Sequence, residues 1–261
     1  MVKEFEGKNQ WTVILGSSSG LGLATAKKLA QHGLNLCLVY RARKSDTTKI
    51  QTTFQTIATE NSVELLEFNL DFVKPENRTL VCDALTQKSV RVLVHSVAKG
   101  NLKPMIANKA RTLQNDDFHL TIESMGISLY DWTKSLFDNN RFAAEASIVS
   151  FTSEGNKKAW PNYAAVSAAK ATLEAITRNL ALEFAPHGIH ANCIEAGVTD
   201  TASLRMIPGS EKLIEHTKKR NPNKRLTTPE DVANVVYLLS KDEARWINGA
   251  VIPVNGGEHL S

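Results

Sequence analysis

The sequence predicts an α/β fold in which a doubly wound parallel sheet carries helices on both faces. Three observations predict it. Short apolar runs of strand length alternate with stretches of helical periodicity along the chain. No linker rich in Pro, Gly or Ser interrupts the alternation, so residues 1–261 are predicted to form one domain. A glycine-rich turn follows the first strand. Strands that alternate with helices form parallel sheets, and ligands bind beyond the carboxyl ends of those strands.

The first strand, turn and helix are predicted from residues 13–32, which begin VILGSSSGLG. An apolar run ends at Gly16, and an amphipathic stretch follows Gly22. Glycine permits a positive φ and a close approach of the backbone to a pyrophosphate. The N–H groups and the positive end of the helix favour an anion. The turn is therefore a candidate phosphate loop of a Rossmann-type dinucleotide fold, with a purely structural turn as the alternative.

Six further strands are predicted from short apolar runs, and the clearest helices from the spacing of apolar residues. The strands are residues 36–40, 65–70, 90–97, 147–151, 189–194 and 250–254. The helices are residues 164–184 and 229–240.

The composition excludes several classes of protein. The net charge is only +4 and is spread along the chain, which does not suggest nucleic-acid binding. No apolar run approaches the roughly 18 residues of a membrane span, and the polar start of the chain is unlike a secretory signal. Cys37, Cys82 and Cys193 lack metal-ligand spacing. We therefore expect no metal site, and reduced thiols in a cytoplasmic protein.

The residues after the second strand bear on the choice of dinucleotide. An enzyme that prefers NAD often has an acidic residue there to hold the ribose 2′-hydroxyl. Residues 40–44 contain none, whereas Arg41 and Arg43 could neutralise a 2′-phosphate with help from Ser19. The pattern favours NADPH over NADH, and a solvated basic loop is the alternative.

Four motifs together resemble the short-chain dehydrogenase/reductase family over essentially the whole chain. They are the spacing of Gly16, Gly20 and Gly22, a polar motif after strand four, a Tyr/Lys pair in a helix, and the sequence NGG at 255–257. In this family the glycine spacing is Gly-x-x-x-Gly-x-Gly.

Three departures from the commoner members resemble the enoyl-[acyl-carrier-protein] reductase branch of that family. Residues 95–100 read HSVAKG, and Glu123 stands where a family asparagine takes part in a proton relay. Lys170 follows Tyr163 by seven residues rather than four. Seven residues are close to two helical turns, or about 10 Å along the axis, so both side chains can share a face. A packed amphipathic helix with an incidental tyrosine is the alternative, and His95 is assigned no chemical role.

The resemblance implies a catalytic role for Tyr163 and Lys170, with Ser153 either orienting a carbonyl or capping a turn. Lys170 would also hold the nicotinamide ribose and favour ionisation of Tyr163. Backbone groups near Val198 would hold the carboxamide, and Thr201 would reach the pyrophosphate. The implied cofactor contacts are Gly16, Ser18, Ser19, Gly20, Leu21, Gly22, Arg41, Arg43, Asn69, Leu70, Ser96, Val97, Ala98, Lys170, Val198 and Thr201.

Three functions are compatible with these residues. The first is hydride transfer to the β-carbon of a 2-enoyl thioester, the second is reduction of a carbonyl or 3-ketoacyl group, and the third is dinucleotide binding without turnover. The partly apolar segment 202–221 suits a lid over an acyl chain, or forms a surface helix pair. Basic residues nearby could meet an acyl carrier protein. The family resemblance also implies a homotetramer.

Overall fold

Seven strands form one parallel sheet in the computed structural model, which describes residues 3–108 and 111–260. The strand order is β3-β2-β1-β4-β5-β6-β7, and every neighbouring pair is parallel. This confirms the predicted fold class. The strands are β1 Trp11–Leu15, β2 Asn35–Tyr40, β3 Leu65–Asn69, β4 Val90–His95, β5 Phe142–Thr152, β6 Ile189–Ala196 and β7 Val251–Val254. The predicted domain also includes Met1, Val2, Lys109, Ala110 and Ser261, which lie outside the described residues.

The helices are α1 Gly20–Gln31, α2 Lys44–Asn61, α3 Pro75–Ala84, α4 Asn115–Ile122, α5 Ser128–Asp138, α6 Ala164–Phe184, α7 Ala202–Arg205, α8 Ser210–Arg220 and α9 Pro229–Ser240. Both α6 and α9 have the predicted bounds. A π-helical turn, Glu123–Ile127, joins α4 to α5. Turns of this kind are uncommon and often lie near functional sites.

The sheet is buried between two apolar layers. Side chains of α3, α5 and α6 form one layer, and side chains of α1, α2 and α9 form the other. Trp132 of α5 is fully buried in the first layer, where its indole N–H donates to the carbonyl of Phe72 at 2.9 Å. Phe54 of α2 is fully buried in the second layer, edge-on to Tyr40. Both faces of the sheet are covered, as the near-continuous apolar strands predict.

Several strand bounds differ from their predictions by one or two residues, and the start of β5 differs by five. β5 begins at Phe142 rather than at 147, and the extension includes the polar Glu145. The pairing register of β5 with β4 shifts within this extension. β4 ends at His95 rather than at 97. The N–H of Ser96 still donates to the carbonyl of Leu15 at 3.0 Å, and the chain then leaves the sheet.

The carboxyl ends of the central strands lie side by side. Leu15 at the end of β1 pairs with His95 at the end of β4, and His95 pairs with Ser150 in β5. The chain runs outward from β1 through β2 and β3, and from β4 through β5 to β7 on the other side. This reversal creates a crevice at the carboxyl ends of β1 and β4, where open α/β sheets bind their ligands.

Candidate active site

The glycine turn is folded so tightly that side chains are excluded at two of its positions. Gly16 has a φ of +79°, and a Cβ there would lie 2.2 Å from the carbonyl oxygen of Ser96. A Cβ on Gly22 would lie 2.3 Å from the carbonyl oxygen of Gly16. These contacts hold the turn against the end of β4 and bring the start of α1 down onto it.

The start of α1 leaves its backbone donors available to a ligand. Ser19 is the N-cap residue, but its side chain makes no capping hydrogen bond. The first N–H groups of a helix have no acceptor within the helix. Thr201 lies against this turn, since its Cγ2 would be 3.4 Å from a Cβ on Gly20. The glycine turn and the start of α1 therefore form a site that fits a pyrophosphate. Ser18 and Leu21 lie in the same turn and are half-buried.

Asn69 at the end of β3 organises the basic loop after β2. Its Oδ1 accepts from the N–H of Ala42 at 3.0 Å, and its Nδ2 donates to the carbonyl of Ala42 at 3.3 Å. The N–H of Leu70 donates to the carbonyl of Tyr40 at 2.9 Å. These bonds place the loop residues Arg41 and Arg43 beside the end of β3, and both arginine side chains are exposed.

His95 is a structural residue in this arrangement. It is fully buried, and its Nε2 lies 2.8 Å from the hydroxyl of Ser128. Burial lowers the pKa of His95 to about 3, with a further contribution from the charge of Lys170. The imidazole is therefore neutral at physiological pH. Ser96, Val97 and Ala98 follow it along the rim, with Val97 buried and Ala98 exposed.

The phenol of Tyr163 lies beside the hydroxyl of Ser153, with their oxygen atoms 3.3 Å apart. Gly155 supports the ring, because a Cβ there would lie only 2.5 Å from Cε1 of Tyr163. Burial raises the pKa of Tyr163, and the hydrogen bond with Ser153 offsets part of the rise. The phenol therefore keeps its proton at neutral pH. That Lys170 favours the phenolate stays a prediction.

Lys170 lies two turns into α6, whereas Tyr163 is the N-cap residue just before it. The ammonium group is buried and donates to the carbonyl of Phe151 at 2.6 Å. Burial lowers the pKa of Lys170 to about 8, and the nearby Cys193 and Glu174 oppose the shift. Lys170 is therefore still mainly protonated at pH 7, with further N–H donors for a ligand.

A buried carboxylate in α6, that of Glu174, was not predicted as a site residue. Glu174 lies one turn beyond Lys170 and accepts from the hydroxyl of Thr152 at 2.8 Å. It also accepts from the side-chain amide of Asn156. Glu174 thereby joins α6 to the loop that carries Ser153. No local motif marks this glutamate in the sequence, because its partners lie 18 and 22 residues away.

A second network joins α8 to the rest of the site. The guanidinium of Arg220 contacts Glu154 and also donates to Glu258 at 2.6 Å. The other oxygen of Glu258 accepts from the N–H of Val198 at 3.2 Å. The N–H of Val198 thus already has a carboxylate acceptor, and a cofactor contact by Val198 stays a prediction.

The structure brings most of the predicted site residues to one edge of the sheet. The turn after β1, the loop after β2, the ends of β3 and β4, the loop after β5 and the turn after β6 all meet there. A cavity of about 310 Å³ opens beside the glycine turn and is lined by Gly20, Lys27, Thr201 and their neighbours. A larger cavity, about 470 Å³, lies near Asn221 and Asn255 and is lined by none of the proposed catalytic residues.

The described residues offer neither a metal cluster nor a membrane-spanning helix. Within residues 3–108 and 111–260, no group of three or more His, Cys, Asp or Glu side chains could hold a metal ion. Over the same residues, every helix is too short or too polar to cross a bilayer. The thiols of Cys37, Cys82 and Cys193 are buried and form no disulfide within this part of the chain.

Comparison with known proteins decides the family. A family model described as "Enoyl-(Acyl carrier protein) reductase" matches residues 16–259. The chain belongs to this family. It is 28% identical over 260 residues to the enoyl-[acyl-carrier-protein] reductase [NADH] FabI of Aquifex aeolicus, covering 98% of this chain and 92% of the relative. The crystal structure of the Aquifex enzyme superposes with a TM-score of 0.84 at 27% identity, with 98% of each chain covered.

Other reductases are almost equally similar to this enoyl-[acyl-carrier-protein] reductase family member. The NADPH-dependent aldehyde reductase-like protein of Arabidopsis thaliana chloroplasts is 26% identical over 254 residues, covering 94% of this chain and 92% of the relative. The resemblance to the enoyl reductase branch of the short-chain dehydrogenase/reductase family is confirmed.

Proposed function

We propose that the chain reduces 2-enoyl thioesters with a nicotinamide dinucleotide, by hydride transfer to the β-carbon. The observation that carries this proposal is the protonated phenol of Tyr163, which Ser153 and Gly155 hold at the carboxyl edge that also carries the glycine turn. The family match supports the same reaction. When bound, the reduced dinucleotide supplies the hydride.

Tyr163 donates a hydrogen bond to the thioester carbonyl oxygen. Hydride addition at the β-carbon moves negative charge onto this oxygen as an enolate, and a preorganised donor in a site sheltered from water stabilises that charge. The enolate then takes up a proton from solvent at its α-carbon, which completes the reduction. Ser153 keeps the phenol oriented through their contact at 3.3 Å. The raised pKa of Tyr163 suits a residue that must hold its proton until charge develops.

Lys170 orients the nicotinamide ribose and adds positive potential to the site. Its bond to the carbonyl of Phe151 fixes the ammonium group, and its remaining N–H donors suit the ribose hydroxyls. The glycine turn and the N-terminus of α1 hold the pyrophosphate. We propose the remaining predicted cofactor residues as further contacts at the same edge of the sheet: Asn69, Leu70, Ser96, Val97, Ala98, Val198 and Thr201.

The basic loop after β2 supports NADPH as the preferred dinucleotide, with NADH as the alternative. Arg41 and Arg43 are exposed at the carboxyl end of β2, where an adenosine ribose lies in folds of this kind. The name of the Aquifex relative specifies NADH for that protein. The preference of this chain for NADPH or NADH therefore depends on the net positive charge around Arg41 and Arg43.

The segment α7–α8 suits a lid over the acyl chain. The two helices break at Pro208 and Gly209, and Met206 is 71% exposed between them. Lys218 and Lys219 are exposed at the end of α8 and suit an acidic acyl carrier protein. We further propose that the protein is a cytoplasmic homotetramer.

Carbonyl reduction is the second candidate, because the pairing of Ser153 with Tyr163 would equally orient a ketone oxygen. The similarity to an aldehyde reductase favours it to the same degree. The two reactions differ in where the hydride goes, and only the substrate distinguishes them.

The deciding experiment measures oxidation of NADPH and NADH with crotonyl and longer 2-enoyl thioesters, on carrier protein and on coenzyme A. The same assay with 3-ketoacyl thioesters and simple ketones gives the comparison. We expect kcat/KM for the enoyl thioesters to exceed that for the 3-ketoacyl thioesters and ketones at least about a hundredfold. Turnover with ketones alone would establish the second candidate, and binding without any turnover would show a non-catalytic protein.

The role of Tyr163 is tested by Tyr163→Phe. We expect kcat to fall about 10²–10³-fold, as for loss of one oxyanion donor, with dinucleotide affinity unchanged within about twofold. Tyr130→Phe, in an exposed tyrosine of α5, is the matched control and should retain full activity.

A further inference from the structure

Asp71 places a negative charge directly against the arginine that would select a 2′-phosphate. Its Oδ2 lies 2.9 Å from Nη1 of Arg41 and 4.0 Å from Nζ of Lys99. Asp71 follows the end of β3 by two residues, whereas Arg41 is the first residue after β2. The segment 40–44 does not contain this charge, because Asp71 lies 30 positions after Arg41, in the loop that follows the neighbouring strand β3.

The two partners are held with unequal rigidity. The Oδ1 of Asp71 accepts from the N–H of Val73 at 3.4 Å. The carbonyl of Asp71 accepts from Nδ2 of Asn77 at 2.8 Å and from the N–H of Lys74 at 3.2 Å. The side chain of Asp71 is 25% exposed, whereas that of Arg41 is 57% exposed. The carboxylate is therefore the fixed member, and the guanidinium is the one that can move.

A fixed carboxylate acts on a 2′-phosphate in two ways. It shares the guanidinium that the phosphate needs, and its own charge repels the phosphate. Exposed ion pairs are weak, so Arg41 can leave Asp71 for a ligand. The repulsion remains after Arg41 has moved, because the backbone bonds keep Asp71 in place.

We infer that Asp71 sets the dinucleotide preference: its carboxylate offsets Arg41 and weakens selection for the 2′-phosphate, so that this chain uses NADH as well as NADPH. The inference rests on the proposed dinucleotide-dependent function. It makes Asp71 a specificity-determining residue that acts mainly through Arg41.

The test compares adenosine 2′,5′-bisphosphate with 5′-AMP, which differ by the 2′-phosphate alone. Titration calorimetry gives both affinities for the wild type and for Asp71→Asn. We expect Asp71→Asn to bind the bisphosphate about tenfold more tightly and 5′-AMP within twofold of the wild type. The ratio of kcat/KM for NADPH to that for NADH should rise by a similar factor.

Two further variants separate a charge effect from a structural one. In the Arg41→Ala background, Asp71→Asn should raise bisphosphate affinity by less than about threefold, because the shared guanidinium is gone. Asp71→Glu, which keeps the charge, should retain most of the wild-type selectivity. Asp46→Asn is the matched control, since Asp46 is an exposed acid at the start of α2 whose side chain bonds only the adjacent Ser45 among the described residues. It should leave the selectivity unchanged.

The outcomes distinguish this inference from the proposed function. If the wild type binds both nucleotides and Asp71→Asn leaves their ratio unchanged, the inference is overturned and the proposed function stands. If the wild type binds neither these nucleotides nor NADPH and NADH, both are overturned. Equal gains in the Asp71→Asn and Asp46→Asn variants would show a general field effect and would also overturn the inference.

Discussion

The ring of Tyr163 packs against a backbone position that has no side chain. Gly155 lies eight residues before the tyrosine in the loop after β5, and its missing Cβ leaves room for Cε1 and Cδ1 of the ring. The loop is fixed in turn by Asn156, which bonds the buried Glu174. The position of the phenol therefore depends on small contacts from outside α6.

The first prediction concerns Gly155→Ala. The added methyl group would meet Cε1 of Tyr163 at 2.5 Å, so the ring or the loop must move by several tenths of an ångström or more. We expect kcat to fall at least about tenfold with dinucleotide affinity unchanged, because misplacement of a catalytic group is costly. Steady-state kinetics and dinucleotide titration measure the two effects.

Gly7→Ala is the control for this variant. Gly7 has a φ of +73°, and a Cβ at this position would meet nothing within 4 Å, so its replacement strains the backbone without touching the site. It should lower stability by about 1–2 kcal/mol and leave kcat unchanged. Equal kcat values for the Gly155→Ala variant and the wild type would contradict the proposed support of Tyr163.

The second prediction concerns the cost of burying Lys170. Its pKa is lowered from 10.5 to about 8 in the folded protein. Between these values the unfolded chain binds a proton that the folded protein lacks, so the free energy of unfolding rises with pH. Below about pH 8 Lys170 is charged in both the folded and the unfolded protein, so the whole destabilisation caused by burying its charge is present. Relative to Lys170→Met, the stability of the wild type should rise by about 3 kcal/mol from pH 8 to pH 10.5.

Urea unfolding at several pH values checks the prediction for Lys170. Lys27→Met, at an exposed lysine of α1, is the control for the loss of one charge and should give a pH profile parallel to that of the wild type. If the profile of Lys170→Met is also parallel to that of the wild type, the buried ammonium is not titrating in this range.

At the scale of elements, the unit made by β1, the glycine turn and α1 is held together by backbone contacts. Gly22 packs on the carbonyl of Gly16, and Gly16 packs on the carbonyl of Ser96 at the end of β4. Any side chain at these positions separates the turn from the sheet. The same contacts aim the N-terminus of α1 at the crevice, so the packing of the turn and the proposed anion binding share one cause.

The third prediction is that Gly22→Ala weakens dinucleotide binding at least about tenfold. A Cβ at 2.3 Å from a backbone oxygen cannot be accommodated without movement of the turn. Overpacking of this kind should also cost about 1–3 kcal/mol of stability. Calorimetric titration and thermal unfolding measure both effects. Gln31→Ala, at the exposed end of the same helix, should alter neither, and wild-type affinity in Gly22→Ala would contradict the role of the turn.

At the scale of the whole molecule, large apolar side chains are exposed before the edge strand β7 and on α9. Among the described residues β7 pairs only with β6, and Trp246 just before it is 99% exposed. Ile247 is 41% exposed and Leu238 of α9 is 54% exposed. Exposed apolar side chains that cluster at a sheet edge are a feature of subunit interfaces. This edge supports the proposed homotetramer.

The fourth prediction is that Trp246→Glu dissociates the assembly, because a charge would be buried without a partner. Size-exclusion chromatography with light scattering should show the mass falling from that of a tetramer to that of a dimer or monomer. Leu80→Glu is the control, since Leu80 is 54% exposed on α3. It should leave the mass unchanged, and a tetrameric Trp246→Glu variant would show that this edge is not an interface.

Much of the sheet could be predicted from the sequence because both of its faces are buried. Buried parallel strands are short apolar runs, and such runs identified all seven strands, including the weak β3. The extension of β5 to Phe142 was missed, because the polar Glu145 interrupts its apolar pattern. The bounds of α6 and α9 were predicted correctly from apolar spacing over long segments.

The sequence by itself determined the fold class, the glycine turn and the family, because each is written in a local pattern or a short motif. The residues proposed to bear the chemistry come from the same motifs. The tertiary structure alone decided which charges act on those residues. The pairing of Asp71 with Arg41 and of Glu174 with Asn156 joins residues 30 and 18 positions apart. The burial that lowers the pKa of Lys170 and raises that of Tyr163 is likewise a property of the packed chain. Electrostatic effects depend on distance and burial, which exist only once the chain is folded.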